Sequence, residues 1–313
     1  MLQMYAATTS APALATLAEA QCGVIRRDQM RSVGISHSFA AAQVRAQRWS
    51  EWGRNVVLLH NSTPSRRQLM WIVALDAGSP CALGSHTALE LAGFRSFASE
   101  AAWVHLVVPR GAKCSTFPGV VVHESRRLKP EHLVTTDGPP RIETATAALD
   151  SAAWQPWPRF ACAQLAAVVQ QRLCTAADLD VALSRVGRVR HKRYMRLTLR
   201  DIAGGAEALG EIDMASLCRR FHLRQPDRQS IRQDASGRRR YLDCEWELDD
   251  GTIVVLEIDG AHHLEVQHWE SDMKRERKVV ISRRWVLRAT NSEVRLEPGA
   301  VVADLVAMGV PRL

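Results

Sequence analysis

A segment near the carboxyl end, residues 239–260, constrains the fold more than any other part of the chain. Its two runs of strand-forming residues flank the turn signal Asp249-Asp-Gly251, and this pattern predicts a β-hairpin. A three-residue loop with Gly251 in the left-handed conformation places Leu248 opposite Thr252. The loop therefore fixes which residues of the two strands face each other.

The predicted register separates an acidic face from an apolar one. Counting back from the loop, Asp243 lies opposite Glu257 and Tyr241 lies opposite Asp259, and residues in such pairs point to the same face. One face is therefore expected to carry the carboxylates of Asp243, Glu245, Glu257 and Asp259. The other is the predicted core face, with Leu242, Cys244, Trp246, Val254, Leu256 and Ile258.

Two interpretations of the acidic face are open. Like charges directly across a strand pair are destabilising, and a divalent cation bound by carboxylate oxygens would offset that repulsion. In the alternative interpretation, these acids only cover the solvent-exposed face of a hairpin.

Length and charge limit the class of protein. A chain of 313 residues exceeds one typical domain, so two or three units are expected, and a formal net charge of +8 favours a polyanionic partner. The seven cysteines include no Cys-x-x-Cys pair, which argues against a structural zinc site and for reduced thiols. Because neither a signal peptide nor a bilayer-crossing apolar run is evident, we expect a cytoplasmic protein without membrane contact.

Residues 1–60 predict a winged helix-turn-helix domain. The pattern comprises a helix at 12–20, a short extended stretch, a second helix capped by Asp28, a turn at Gly34, a third helix capped by Ser36, and two strands between 48 and 60. The residues expected to contact DNA bases or phosphates are His37, Ser38, Gln43, Arg45, Arg48 and Arg54. The alternative is a small helical domain that binds only protein.

Residues 61–155 predict a small mixed α/β unit with helices at 65–77, 86–92 and 143–153 and strands at 103–108 and 120–123. His123, between valines, is interpreted as a strand-face residue and not as a ligand. Residues 156–203 predict a helical linker with the basic residues Arg188, Arg190, His191, Lys192, Arg193, Arg196 and Arg200. Its cationic face either holds a phosphate backbone or is ordinary solvated surface.

Residues 204–313 predict the order helix, three strands, helix, strand, helix. The opening helix covers about 206–221 and includes Glu211. A strand at 229–233 and the hairpin follow, then a helix through Asp272 and Val280, a strand at 284–288 and a closing helix at 300–308. The chain as a whole is expected to be a mixed α+β protein with an acidic strand end in its last domain.

The motifs of this last domain resemble the PD-(D/E)XK nuclease superfamily. They are Tyr241-Leu-Asp243 and Glu257-Ile-Asp259-Gly-Ala-His-His263, and with Gly205-Ala-Glu-Ala-Leu-Gly-Glu211 and Asp272-Met-Lys-Arg275 they are similar to the branch near the very-short-patch-repair endonucleases. The stretch from Gly23-Val-Ile-Arg-Arg-Asp-Gln29 to Gln47-Arg-Trp49 resembles the N-terminal domain of AbiEi-type antitoxins. The resemblance implies a winged helix-turn-helix, a middle α/β unit and an αβββαβ restriction-endonuclease-like domain.

The nuclease resemblance also implies roles for particular residues. Asp243 and Glu257 would bind Mg²⁺ or Mn²⁺, Glu211 would serve as a further ligand or orient water, and His263 would be the base. Asp259 stands where the superfamily has a lysine. His263 and the expected DNA-binding residues of the following segment, Lys274 and Arg275, are the candidates for the missing positive charge.

Two functions follow from these resemblances. The first is a metal-dependent DNA endonuclease guided by its winged helix. The alternative is an antitoxin-like transcriptional regulator with a catalytically inactive nuclease-like domain, for which a nucleotidyltransferase-like toxin is the expected partner.

Overall fold

The computed structural model describes residues 11–97, 99–204, 214–233, 239–259 and 284–313. Within these ranges the chain forms two compact units, one from residues 11–93 and 99–147, the other from residues 94–97 and the described part of 148–313. Twelve α-helices and three sheets in the described residues confirm the mixed α/β class. None of these described helices combines the length and the apolar character needed to cross a bilayer.

The first unit opens with the order helix, strand, helix, helix, strand, strand. The bounds are α1 Ala11–Ala20, β1 Val24–Arg26, α2 Arg27–Ser32, α3 His37–Arg45, β2 Ser50–Trp52 and β3 Val56–Leu58. The strands form an antiparallel sheet with β3 in the centre. Buried Ile25, Met30, Ile35, Ala40 and Trp49 lie between this sheet and the helices. The predicted order of elements for residues 12–60 is confirmed.

The caps of α2 and α3 differ in how well the sequence predicted them. Ser36 caps α3 as predicted, because its Oγ accepts the backbone N–H of Phe39 at 3.1 Å. The prediction that Asp28 caps α2 is wrong. The cap residue is Arg26, so Asp28 falls in the first helical turn, where its carboxylate accepts the Nε–H of Arg26 at 2.6 Å.

The rest of the first unit is a five-stranded sheet in the order β6-β5-β4-β8-β7. Its elements are α4 Arg66–Ala77, β4 Ala82–Leu83, α5 Ser85–Leu91, β5 Val104–Pro109, β6 Val120–Ser125, β7 Leu133–Val134 and β8 Arg141–Ile142, with 3₁₀ turns at Glu100–Ala102 and Pro130–His132. Strands β5 and β6 pair in parallel. The helices and the two longer strands were predicted; β4, β7 and β8 were missed because two residues show no periodicity.

A run of helices precedes the last sheet. It comprises α6 Thr144–Trp154, α7 Pro158–Gln170, α8 Ala176–Arg185, α9 Lys192–Gly204 and α10 Met214–Arg220. The sequence predicted one basic helix from Arg188 onward. Since α9 begins at Lys192, the basic residues before it lie in the α8–α9 connection instead. Of the opening helix predicted for 206–221, the structure describes only the part from residue 214.

The last sheet has the order β12-β11-β10-β9, with β9 Arg228–Gln233, β10 Arg239–Glu247, β11 Ile253–Asp259 and β12 Arg284–Thr290. Strands β11 and β12 are parallel, and the other pairs are antiparallel. Two helices follow, α11 Asn291–Leu296 and α12 Pro298–Ala307. The predicted succession of strands along the chain is confirmed, whereas the helix predicted between β11 and β12 lies outside the described residues.

The β10–β11 hairpin has the predicted register and loop. Gly251 has a φ of 78°, and the backbone N–H of Leu248 donates to the Thr252 carbonyl at 2.8 Å. The predicted core face is also confirmed where its side chains are described, because Cys244, Trp246, Val254, Leu256 and Ile258 are buried. Trp246 is completely buried, and its Nε1–H donates to the Arg224 carbonyl at 2.8 Å.

Candidate functional site

The acidic candidate site is built on three adjacent strands. Asp243 on β10 pairs with Glu257 on β11, and Glu257 pairs with Arg288 on β12. The next row of the sheet joins Tyr241, Asp259 and Thr290 in the same way. The register alone therefore places the two predicted metal ligands directly opposite each other and puts an arginine position beside them.

An arginine of β12 neutralises Glu257. Its partner is Arg288, whose Nε–H donates to Glu257 Oε2 at 2.8 Å, and each side chain is 32% exposed. Arg284, four residues earlier on the same strand, makes the same kind of ion pair with Glu245. Neither ion pair was predicted from the sequence. The available signal was the spacing of the two arginines, since residues four apart on a strand share a face.

Glu257 retains room for a cation despite this ion pair. Arg288 engages one of its two carboxylate oxygens, and a carboxylate offers about four acceptor sites in all. For Asp243 the structure describes the backbone on β10 and not the side chain. Within the described part of the chain, no group of three or more His, Cys, Asp and Glu side chains is arranged to hold a metal ion. The described residues thus supply one fitting ligand, Glu257.

Several predicted members of this site lie wholly or partly outside the described residues. The side chain of Asp259 is outside them, although its backbone position on β11 is described. Four further residues lie outside the described ranges entirely: Glu211, His263, Lys274 and Arg275. Their predicted roles remain predictions.

The candidate DNA-binding surface lies on α3 and the strands that follow it. All six predicted contact residues there are partly or fully exposed: His37, Ser38, Gln43, Arg45, Arg48 and Arg54. Arg48 donates from Nη1 to Gln43 Oε1 at 3.2 Å, which holds both side chains beside the end of α3. The backbone N–H of Arg54 donates to Asp76 Oδ1 at 2.7 Å, and this bond anchors the β2–β3 turn.

A pocket of about 360 Å³ adjoins the start of α3. Its polar lining includes Arg27, Arg31, His37 and Asn55. Arg27 also pairs with Glu51 of β2 at 2.8 Å. Sequence reasoning did not single out Arg27 or Arg31, because α2 was expected only to support the third helix. Arg31 adds positive charge next to the predicted base-contacting residue His37, whereas Glu51 balances the charge of Arg27.

Two histidines of the five-stranded sheet form a stacked pair, in which His105 is buried and His123 is partly exposed. His105 Nδ1 lies 3.0 Å from His123 Nε2, and the rings stack with centroids 5.3 Å apart. Burial, reinforced by the neighbouring His105, lowers the pKa of His123 to about 4. Burial also lowers the pKa of His105. Both rings are therefore neutral at neutral pH, and His123 lies on strand β6 as predicted.

Comparison with known proteins adds no identification. No family model matches the chain, and no curated protein matches it. Any function proposed for this chain therefore rests on the chemistry and arrangement of its own residues.

Proposed function

We propose that this chain is a metal-dependent DNA endonuclease that binds duplex DNA through its N-terminal elements. The observation that carries the proposal is the register of the last sheet, in which Asp243 lies directly opposite Glu257. Two carboxylates on adjacent central strands are a natural pair of ligands for Mg²⁺ or Mn²⁺, which prefer oxygen. Like charges across a strand pair are destabilising, and a cation held between the two carboxylates would offset that cost.

The N-terminal elements support the DNA-binding part of the proposal. Their order and their three-stranded antiparallel sheet match the arrangement expected of a winged helix-turn-helix. In that arrangement the exposed side of α3 enters the major groove, where Arg45 and Gln43 can contact base edges. In the same arrangement Arg48 and Arg54 would lie where phosphates of the backbone pass, and Arg31 would add to the positive charge of this domain.

Asp243 and Glu257 would hold the cation, which when bound polarises the scissile phosphate and lowers the pKa of a water ligand. Arg288 contributes the chemistry that Asp259 cannot supply. An aspartate offers no positive charge to a phosphate, whereas the guanidinium of Arg288, fixed by Glu257, can donate hydrogen bonds to phosphate oxygens. Arg288 therefore takes the place of the lysine that the nuclease pattern has at position 259.

Nicking of supercoiled plasmid by the full chain tests this proposal. Activity is expected with Mg²⁺ or Mn²⁺ and not with EDTA, and Asp243→Ala and Glu257→Ala should each abolish it while leaving duplex binding unchanged. Glu247→Ala is the matched control, since Glu247 is an exposed acid at the far end of β10. Nicking that survives in the Asp243 and Glu257 variants would disprove the assignment of the site.

The ion pairs of β12 favour a second candidate function. Arg288 and Arg284 neutralise Glu257 and Glu245 without a cation. An acidic face balanced in this way is compatible with a domain that serves only as a scaffold, in a regulator of antitoxin type with a nucleotidyltransferase-like toxin as its partner. That function predicts binding near the chain's own promoter, lost in Arg45→Ala or Arg54→Ala and insensitive to EDTA, with no nicking by any variant.

A further inference from the structure

The exposed Trp157 and the basic connection before α9 lie side by side in the second unit. Arg190 donates from Nη2 to the carbonyl of Pro156 at 2.7 Å, and His191 Nε2 donates to the carbonyl of Gln155 at 2.9 Å. Trp157, the next residue, is 65% exposed. A large aromatic ring that remains in water beside a fixed guanidinium, here that of Arg190, is a typical platform for an unpaired nucleobase.

Three arginines of α9, the helix that follows this basic connection, carry further positive charge. Arg193, Arg196 and Arg200 are spaced three and four residues apart, so they share one face of the helix. Arg193 and Arg200 are exposed, and Arg196 is partly exposed. None of the three forms an ion pair with another described residue. At 1.5 Å per residue they cover about 10 Å of helix, a length that spans successive phosphates of one strand.

The helix that carries these arginines is held firmly by its opposite face. Met195 and Leu199 are buried there. Two buried polar contacts connect the same face to α11, one between the Thr198 and Ser292 hydroxyls at 3.3 Å and one from Asn291 Nδ2 to Asp201 Oδ2 at 3.0 Å. The arginines are therefore presented on a fixed support and lose little backbone freedom on binding a ligand.

A pocket of about 400 Å³ opens beside Trp157. Its lining combines aromatic and charged groups, among them Trp157, Arg159, Phe160, Arg288, Glu297 and Asp304. This volume lies in the range of small-ligand sites, and carboxylates can accept hydrogen bonds from the amino groups of bases. Arg288 also belongs to the acidic row of the last sheet, so the pocket and the proposed catalytic residues share a side chain.

We propose that this surface binds a single DNA strand, with phosphates on the arginines of α9 and an unpaired base stacked on Trp157. The inference rests on the proposed function for its choice of DNA, and it adds that the second unit engages one strand independently of the winged-helix elements. It assigns a role to the basic run, which the sequence left open between phosphate binding and solvated surface.

Fluorescence anisotropy with the full chain and a labelled DNA strand of about 12 nucleotides, within the site sizes of single-strand binders, tests the proposal. EDTA is present so that cleavage cannot contribute. Trp157→Ala should weaken binding roughly tenfold, and Trp157→Phe, which keeps a ring, should recover most of it. Trp103→Ala is the matched control, since Trp103 is 48% exposed in the first unit and should leave affinity unchanged.

The arginines are tested by their effect on salt dependence. The triple variant Arg193→Ala, Arg196→Ala, Arg200→Ala should lower the slope of log affinity against log salt by about 2, at about 0.7 for each lost phosphate contact on a single strand. The control removes the same charge from the first unit through Arg110→Ala, Lys113→Ala and Arg126→Ala. Equal loss of affinity in both triple variants would overturn the proposal, as would unchanged affinity in Trp157→Ala.

The outcome separates this inference from the proposed nuclease activity. Asp243→Ala should bind the single strand as tightly as the unmodified chain, because the cation is not required for this contact. Absence of nicking together with loss of single-strand binding in Trp157→Ala would end the nuclease proposal and leave this surface in place. Nicking by a chain that does not bind the single strand would support the nuclease proposal and overturn this inference.

Discussion

Replacement of Arg288 by methionine tests the acidic row most directly. The substitution keeps a long apolar stem and removes the charge-assisted hydrogen bond from Nε to Glu257 Oε2 at 2.8 Å. Since both side chains are 32% exposed, solvent screening reduces the value of the pair to about 1 kcal/mol. For a unit of this size that loss lowers the midpoint of thermal unfolding by about 2–4 °C, measured by circular dichroism in EDTA.

The response of the Arg288→Met variant to Mg²⁺ is the decisive measurement. Without the guanidinium, Glu257 faces Asp243 with no described countercharge, so a cation becomes the remaining source of neutralisation. At a Mg²⁺ concentration about ten times the dissociation constant, binding stabilises the fold by about 1.4 kcal/mol, or about 3–6 °C. Arg284→Met breaks the equivalent pair with Glu245 but keeps Arg288 beside Glu257, so its gain from Mg²⁺ should be clearly smaller. The same rise in both variants would refute the reasoning.

Three further predictions concern stability. Trp246→Ala empties a fully buried site and removes the donor to the Arg224 carbonyl, so chemical denaturation should show a loss of about 3–5 kcal/mol. Ser36→Ala removes the cap of α3 and should cost about 1 kcal/mol, seen as a lower thermal midpoint. The pKa of His123 falls from 6.5 to about 4 on folding, so the neutral ring is favoured: its contribution is complete above pH 6.5 and is lost as the pH falls towards 4. Urea midpoints measured across this range should fall less steeply for His123→Leu.

The hairpin was predictable because its determinants are local. A turn signal fixes the loop, the loop fixes the register, and alternation then assigns each side chain to a face. The observed pairing of Asp243 with Glu257 follows from nothing more than these steps. The same is true of α3, because the turn at Gly34 and the cap at Ser36 are signalled by residues close together in the sequence.

Such local rules could not predict contacts between strands that are far apart in the sequence. The ion pair of Arg288 with Glu257 depends on β12 joining β11 in parallel at one particular offset, which no local signal specifies. The stacking of His105 on His123 likewise requires the register of two parallel strands. The Asp28 error had a different cause, since the cap of α2 lies two residues earlier, at Arg26, and Asp28 falls inside the first turn of the helix.

The buried contacts between α9 and α11 impose an evolutionary constraint. Asp201 receives a hydrogen bond from Asn291, and burial raises the pKa of Asp201, so neither partner can be exchanged alone without leaving a polar group unsatisfied. Thr198 and Ser292 impose a milder version of the same rule. In related chains these positions are expected to change in pairs. The arginines on the exposed face of α9 should instead vary with the ligand that each protein binds.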